Sequence, residues 1–71
     1  MNLRNHNWRD VYKVLVKRGF YVGRQRGDHI QLIHNDGKFV TLVKHNPIKI
    51  GTLKSILIQA DISQEEFIKE I

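Results

Sequence analysis

The chain is 71 residues long, contains no cysteine, and carries 12 Lys and Arg against 7 Asp and Glu, a formal net charge of +5. Disulfides and thiolate metal sites are thereby excluded, and no apolar run approaches the roughly 18 residues that a membrane-spanning helix needs. The charge is unevenly placed, with 11 basic and 3 acidic residues in positions 1–54 but only Lys69 against Asp61, Glu65, Glu66 and Glu70 after that, so the body is suited to a polyanion while the tail is acidic.

The first predicted element is a helix over Trp8–Arg18. Trp8, Val11, Tyr12, Leu15 and Gly19 lie on one stripe of 3.6-residue period. Asn7 is placed to cap its N-terminus, Asp10 complements the positive end, Lys17 and Arg18 the negative end, and Gly19 supplies the stop. From Phe20 to Lys44 the pattern becomes strand-like. Phe20-Tyr21-Val22 opens a first strand and Gly27 marks a turn. Ile30, Leu32 and Ile33 form a second strand, Asn35-Asp36-Gly37 a tight turn, and Phe39–Val43 a third strand. Strands joined by turns this short must pair antiparallel, because parallel pairing needs a long crossover.

Pro47 ends the sheet. A second helix is predicted over Thr52–Ala60, with Leu53, Ile56, Leu57 and Ala60 on one face and Thr52 as its cap. Ser63-Gln64-Glu65-Glu66 reads as a capping box opening a short last helix, with Ile62 and Phe67 placed as a hydrophobic staple. With no repeat or linker in view, residues 1–71 are expected to form one α+β domain in the cytoplasm. Its three-stranded antiparallel sheet would carry helices on one face, as in the double-stranded-RNA-binding-domain architecture.

Arg24-Gln25-Arg26-Gly27-Asp28-His29 places two guanidinium groups, a glycine and a histidine within six positions. Guanidinium forks match phosphate oxygens, and imidazole exchanges protons at neutral pH. RNA cleavage needs a base for the 2′-hydroxyl, an acid for the departing 5′-oxygen and cations for the charged phosphorane. One His beside two Arg meets that minimum, although a strand-opening His that merely bonds locally gives the same pattern. His34, five residues after His29, falls on the opposite face of a regular strand. His6 precedes the first helix, where it could be disordered, whereas His45, beside Lys44 at the end of the third strand, is placed to reach a shared site. No spaced His/carboxylate set suggests zinc, and Asp10, Asp28 and Asp36 do not form the carboxylate cluster of a two-metal nuclease, so no metal or other cofactor is expected. Trp8 and Tyr12 read as core residues rather than stacking platforms. Phe20, Tyr21 and Phe39 are read likewise, with Tyr21 the one that could face out.

Several of these segments resemble one family. The Lys-Arg-Gly-Phe helix end followed by Arg24-Gln25-Arg26-Gly27-Asp28-His29 is similar to the Arg-x-x-Gly-Ser-His stretch of the HicA (YcfA-like) toxins. Thr41–His45 resembles that family's strand ending in His, Gly51–Ala60 resembles its Gly-Thr-Leu-Arg-Ser-Ile-Leu-x-Gln-Ala helix, and Ile62–Phe67 its usual ending. The likeness runs from Val11 to Ile71, and the Gly-Thr-Leu helix is its most specific piece. It implies a metal-independent mRNA endoribonuclease, the toxin of a toxin–antitoxin pair, neutralised by a HicB-like antitoxin. His29 would be the catalytic residue and Gly27 its preceding glycine. From the basic residues themselves, Arg24, Arg26, Gly27, Lys44 and His45 are expected to contact RNA phosphate. Three departures stand out: Asp28 replaces the usual Ser, Val43 and Lys44 stand where a proline precedes the strand-end His, and the stretch from His45 to Gly51 is short. A carboxylate beside His29 would repel phosphate. A non-catalytic RNA-binding module, or a chain that only docks an antitoxin, is therefore the alternative expectation.

Overall fold

The structure is a computed structural model that describes residues 3–71. Helix α1 spans Trp8–Lys17, followed by strands β1 (Tyr21–Arg26), β2 (His29–Ile33) and β3 (Phe39–Val43), then helices α2 (Ile50–Ala60) and α3 (Gln64–Glu70).

Helix α1 begins where Asn7, in extended conformation, accepts a hydrogen bond from the Arg9 N–H at 2.9 Å. A second carboxamide meets the same helix end: Asn46 Oδ1 accepts from the Trp8 N–H at 2.9 Å, tying the β3–α2 connection to the start of α1. Val11, Val14 and Leu15 are buried, and Trp8 and Tyr12 pack against the core from its edge. Val14 joins the stripe three residues after Val11. Arg18 is the cap rather than the last helical residue. Gly19 N–H bonds to the Val16 carbonyl and Phe20 N–H to that of Leu15, the paired closure of a Schellman motif, with Gly19 at φ 96°. Phe20 therefore belongs to this helix stop, buried in the core, and β1 starts one residue later.

The sheet is antiparallel in the order β1-β2-β3. Gly27 at φ 58° is the first central residue of the two-residue β1–β2 turn, where a positive φ followed by an ordinary one suits a type II′ hairpin. In the β2–β3 turn only Gly37 takes positive φ. Its N–H bonds to the His34 carbonyl and the His34 N–H to that of Lys38, so Asn35 and Asp36 serve a three-residue loop without left-handed conformation themselves.

Residues directly opposite in an antiparallel pair share a face, and faces alternate along each strand. Ile30, Leu32, Val40 and Leu42 point to one side and are buried under the helices, with Leu53, Ile56 and Leu57 of α2 and Val11, Val14 and Leu15 of α1 in the same cluster. Among the described residues no helix covers the other side of the sheet. The α-β-β-β-α order with helices on one face is the double-stranded-RNA-binding-domain arrangement expected from the sequence, with α3 added.

Helix α2 starts two residues before the expected position. Lys49 is its N-cap and provides no side-chain cap, while Thr52 lies inside the first turn. Packing sets this start: Ile48 is buried, its N–H bonds to the His6 carbonyl, and Ile50 rests against the core. His6 is correspondingly held in place, bridging Ile48 and meeting the Phe67 ring edge-on at 5.3 Å. Helix α3 carries the full capping box, Ser63 Oγ accepting from the Glu66 N–H and Glu66 Oε1 from the Ser63 N–H. Ile62 and Phe67 are both buried, as the staple requires. Arg18 then fastens α3 to the end of α1, with 2.8 Å to Glu70 and 3.1 Å to Glu66. Two of the four tail carboxylates are thus spent on one guanidinium. No helix among the described residues is long and apolar enough to cross a membrane.

Candidate nucleic-acid interface and active site

The sheet's open side is the place where unpaired polar chemistry collects. Arg26 pairs across the β1–β2 ladder with His29, and Arg24 with Gln31, while Gln31 pairs with Thr41 on β3. These five side chains line one shallow concavity of about 460 Å³. The local sequence dictates the gathering. The two-residue turn at Gly27-Asp28 puts Arg26 directly opposite His29, and the pleat then returns every second residue of β2 to the same side. The bulge between Val22 and Arg24 restores Arg24 to the open face, two positions before Arg26. The turn itself is braced from β3, since the Lys44 N–H donates to the Asp28 carbonyl at 2.8 Å.

His29, Arg24 and Arg26 are exposed, and among the described residues none of their side chains is in a hydrogen bond or ion pair. The lining contains two permanent cations, one imidazole, one carboxamide and one hydroxyl, and no carboxylate. Asp28 is exposed in the turn but does not line the concavity. Such a surface is built for an anion: guanidinium donors can fork onto phosphate oxygens, with the imidazole beside them to move a proton. Among the described residues no group of three or more His, Cys, Asp and Glu side chains gathers to hold a metal ion.

The remaining histidines are engaged elsewhere. His34 Nε2 lies 3.1 Å from the Arg18 carbonyl, its Nδ1 accepts from the Asp36 N–H at 3.1 Å, and its ring meets Phe20 edge-on. That geometry suits the tautomer with the proton on Nε2, and it makes His34 a brace between α1 and the β2–β3 turn. His45 lines a separate groove of about 280 Å³ with Leu42, Ile48, Lys49, Thr52 and Ile56.

Lys44 also departs from the concavity. Its Nζ stands 5.3 Å from the centre of the Trp8 ring, whose other cation neighbour is Arg9 at 5.0 Å. The structure therefore brings Arg24, Arg26 and His29 together around Gly27, and puts Lys44 and His45 on neighbouring surfaces. Gln31 and Thr41 were missed in the sequence. Each sits between two apolar positions that the helices bury, but Ile33, Phe39 and Val43 on the same face blur that alternation. Tyr21 and Phe39 face outward, not into the core.

Residues 8–62 match the family model of the HicA toxin of bacterial toxin-antitoxin systems. The chain belongs to this family. The match covers α1, the whole sheet and α2, and hence every residue lining the concavity, and it ends before α3. No curated protein matches the chain. Membership of the HicA family makes this chain the toxin half of a pair, with an antitoxin as its counterpart.

Proposed function

We propose that this HicA-family toxin is a metal-independent mRNA endoribonuclease acting in the cytoplasm, with His29 as its general acid/base. The observation that carries the reading is the exposed His29, without a side-chain partner among the described residues, set across a strand pair from Arg26 and beside Arg24 in a concavity lined by no described carboxylate. His29 takes the proton of a ribose 2′-hydroxyl as that oxygen bonds to the adjacent phosphorus. The bond from phosphorus to the 5′-oxygen breaks, and the proton passes to the departing oxygen. The products are a 2′,3′-cyclic phosphate and a 5′-hydroxyl. Arg24 and Arg26 supply the fixed positive charge that the phosphorane requires, and Gln31 and Thr41 offer neutral hydrogen bonds to the same groups. Lys44, over the Trp8 ring, and His45, in the groove beside α2, are outlying RNA contacts in this reading, away from the concavity. An antitoxin of the HicB type would inhibit by covering this open face. Residues 1–71 are taken as one working domain.

A specific feature favours a second reading, an RNA-binding module without cleavage: Asp28 stands next to His29 in the chain and repels phosphate. Incubating a long RNA with the purified chain and with His29→Ala, in excess chelator, decides between them. Cutting by the native chain that disappears in a folded variant, with cyclic phosphate ends on the fragments, is the expected result. Binding by both proteins with cutting by neither would sink the catalytic reading and leave the module.

A further inference from the structure

The open face has two ends of different chemistry. Four residues along β2 from His29, the cross-strand row Tyr21–Ile33–Phe39 spans all three strands. Tyr21 is 49% exposed and Phe39 48%. Every other aromatic ring is occupied: Trp8 meets Tyr12, Phe20 meets His34, and Phe67 meets His6. Tyr21 and Phe39 have no ring contact among the described residues and add nothing to the buried cluster. Ile33 between them lies across Gly23, where an added methyl would collide with its Cδ1, so the glycine at the bulge keeps this end of the face low.

Strand geometry sets the spacing, since four residues of strand cover roughly 13 Å. An occupant of this face must be an anion at the Arg24–Arg26–His29 end and must present flat, apolar surfaces at the other. A single strand of RNA has both properties. Bases in a duplex have their faces covered by their neighbours, so only unpaired ones can lie on a protein ring. We propose that Tyr21 and Phe39 form a base-stacking subsite for unpaired nucleobases of the strand whose phosphate sits at His29. The subsite rests on the RNA reading of the face and assigns these two rings the task of positioning the strand.

The test is equilibrium binding of a short, unstructured, fluorescently labelled 2′-O-methyl oligonucleotide, which cannot be cleaved through its 2′-oxygen. Tyr21→Ala and Phe39→Ala are each expected to weaken binding at least about fivefold, whereas Tyr21→Phe and Phe39→Tyr, which keep the ring, hold it near the native value. The slope of log affinity against log salt stays unchanged in the ring variants and falls by about 0.7 in Arg24→Ala, because only the latter removes a phosphate contact. Circular dichroism checks folding. Phe39→Leu, which keeps apolar bulk but not the ring, is expected to weaken binding as Phe39→Ala does. Unchanged affinity in all the ring-deleting variants, with Arg24→Ala still weakening it, overturns the subsite and leaves the RNA reading standing. So does equal weakening toward a duplex of the same sequence, or loss of binding to an acidic protein partner alone. No binding by the native chain overturns both.

Discussion

The two sides of the sheet use the same residue types for opposite ends. On the helical side Arg18 is held by Glu66 and Glu70, and His34 has both ring nitrogens engaged, by the Arg18 carbonyl and the Asp36 N–H. On the open side Arg24, Arg26 and His29 are exposed, with no protein partner among the described residues. A guanidinium or imidazole that the fold has satisfied has little left to offer a ligand. One held in place by the ladder but left unpaired keeps its donors for an incoming anion, and hydration makes the wait inexpensive. What separates a brace from a reactive group here is the partner supplied by the local fold.

The largest expected effect separates the two histidines. His29→Ala should lower RNA cleavage by about 10²- to 10⁴-fold, the usual contribution of a positioned acid/base, while leaving the melting temperature within about 4 °C of native. His34→Ala should do the reverse. It removes two hydrogen bonds and a ring contact from a half-buried site, costing about 1–2 kcal/mol of stability, with cleavage at a temperature well below the melt nearly unchanged. Parallel melts and cleavage assays on the two variants check this. If His34→Ala abolished cutting in a folded protein, the division between the sides would be wrong.

A smaller effect distinguishes the turns. Gly27 and Gly37 both take positive φ, and a Cβ at either would meet nothing within 4 Å. Alanine at each therefore carries only the backbone penalty of a positive φ, about 1–2 kcal/mol, each kcal/mol of which lowers the melting temperature of a chain this short by roughly 4–8 °C. The functional outcomes should diverge. Gly27 sits between Arg26 and His29, so Gly27→Ala disturbs the pairing that holds the site and should reduce cleavage beyond its effect on stability. Gly37 lies at the far hairpin, and Gly37→Ala should melt earlier yet cut normally. Equal activity in the two would mean that the turn does not position the site.

Much of this was visible in the residues. The α1 stripe, the two hairpin turns and the capping box at Ser63 each rest on local chemistry, and the structure has each of them. The turn at Gly27 was legible too, but its length, and with it the pairing of Arg26 with His29, came only from the structure. The misses came from tertiary contacts. Thr52 reads as a cap, but the buried Ile48 and the half-buried Ile50 start α2 earlier. Strands β2 and β3 carry apolar residues on both sides, so parity could not say which face the helices cover, and Tyr21 and Phe39 passed for core. Lys44 and His45 are adjacent to the sheet's end in sequence, yet the indole of Trp8 draws one and the groove beside α2 takes the other. A bulge at Gly23, which returns Arg24 to the face of Arg26, left no mark in the hydrophobic pattern.

The smallest expected effect uses pH to test the helical side alone. The Glu66 carboxyl is held below its ordinary value of 4.5, first by the Ser63 backbone N–H, then by the Ser63 hydroxyl and by Arg18. A carboxyl depressed in the folded state contributes stability that is fully present above its unfolded value and is lost as pH falls through the folded one. Asp36 behaves in the same sense, held down first by the Lys38 ammonium and then by the Lys38 N–H. The melting temperature should therefore be flat from neutrality to about pH 5 and decline below it. Glu66→Gln should start from a lower melting temperature and decline less steeply, since the group that titrates is gone. Arg18→Ala should flatten the decline only in part, because the capping box survives it. Neither substitution touches a residue of the open face, so RNA binding at neutral pH should be retained in both. An acid decline identical to native in Glu66→Gln would place its source in other carboxylates and remove the capping box from the account of how α3 is held.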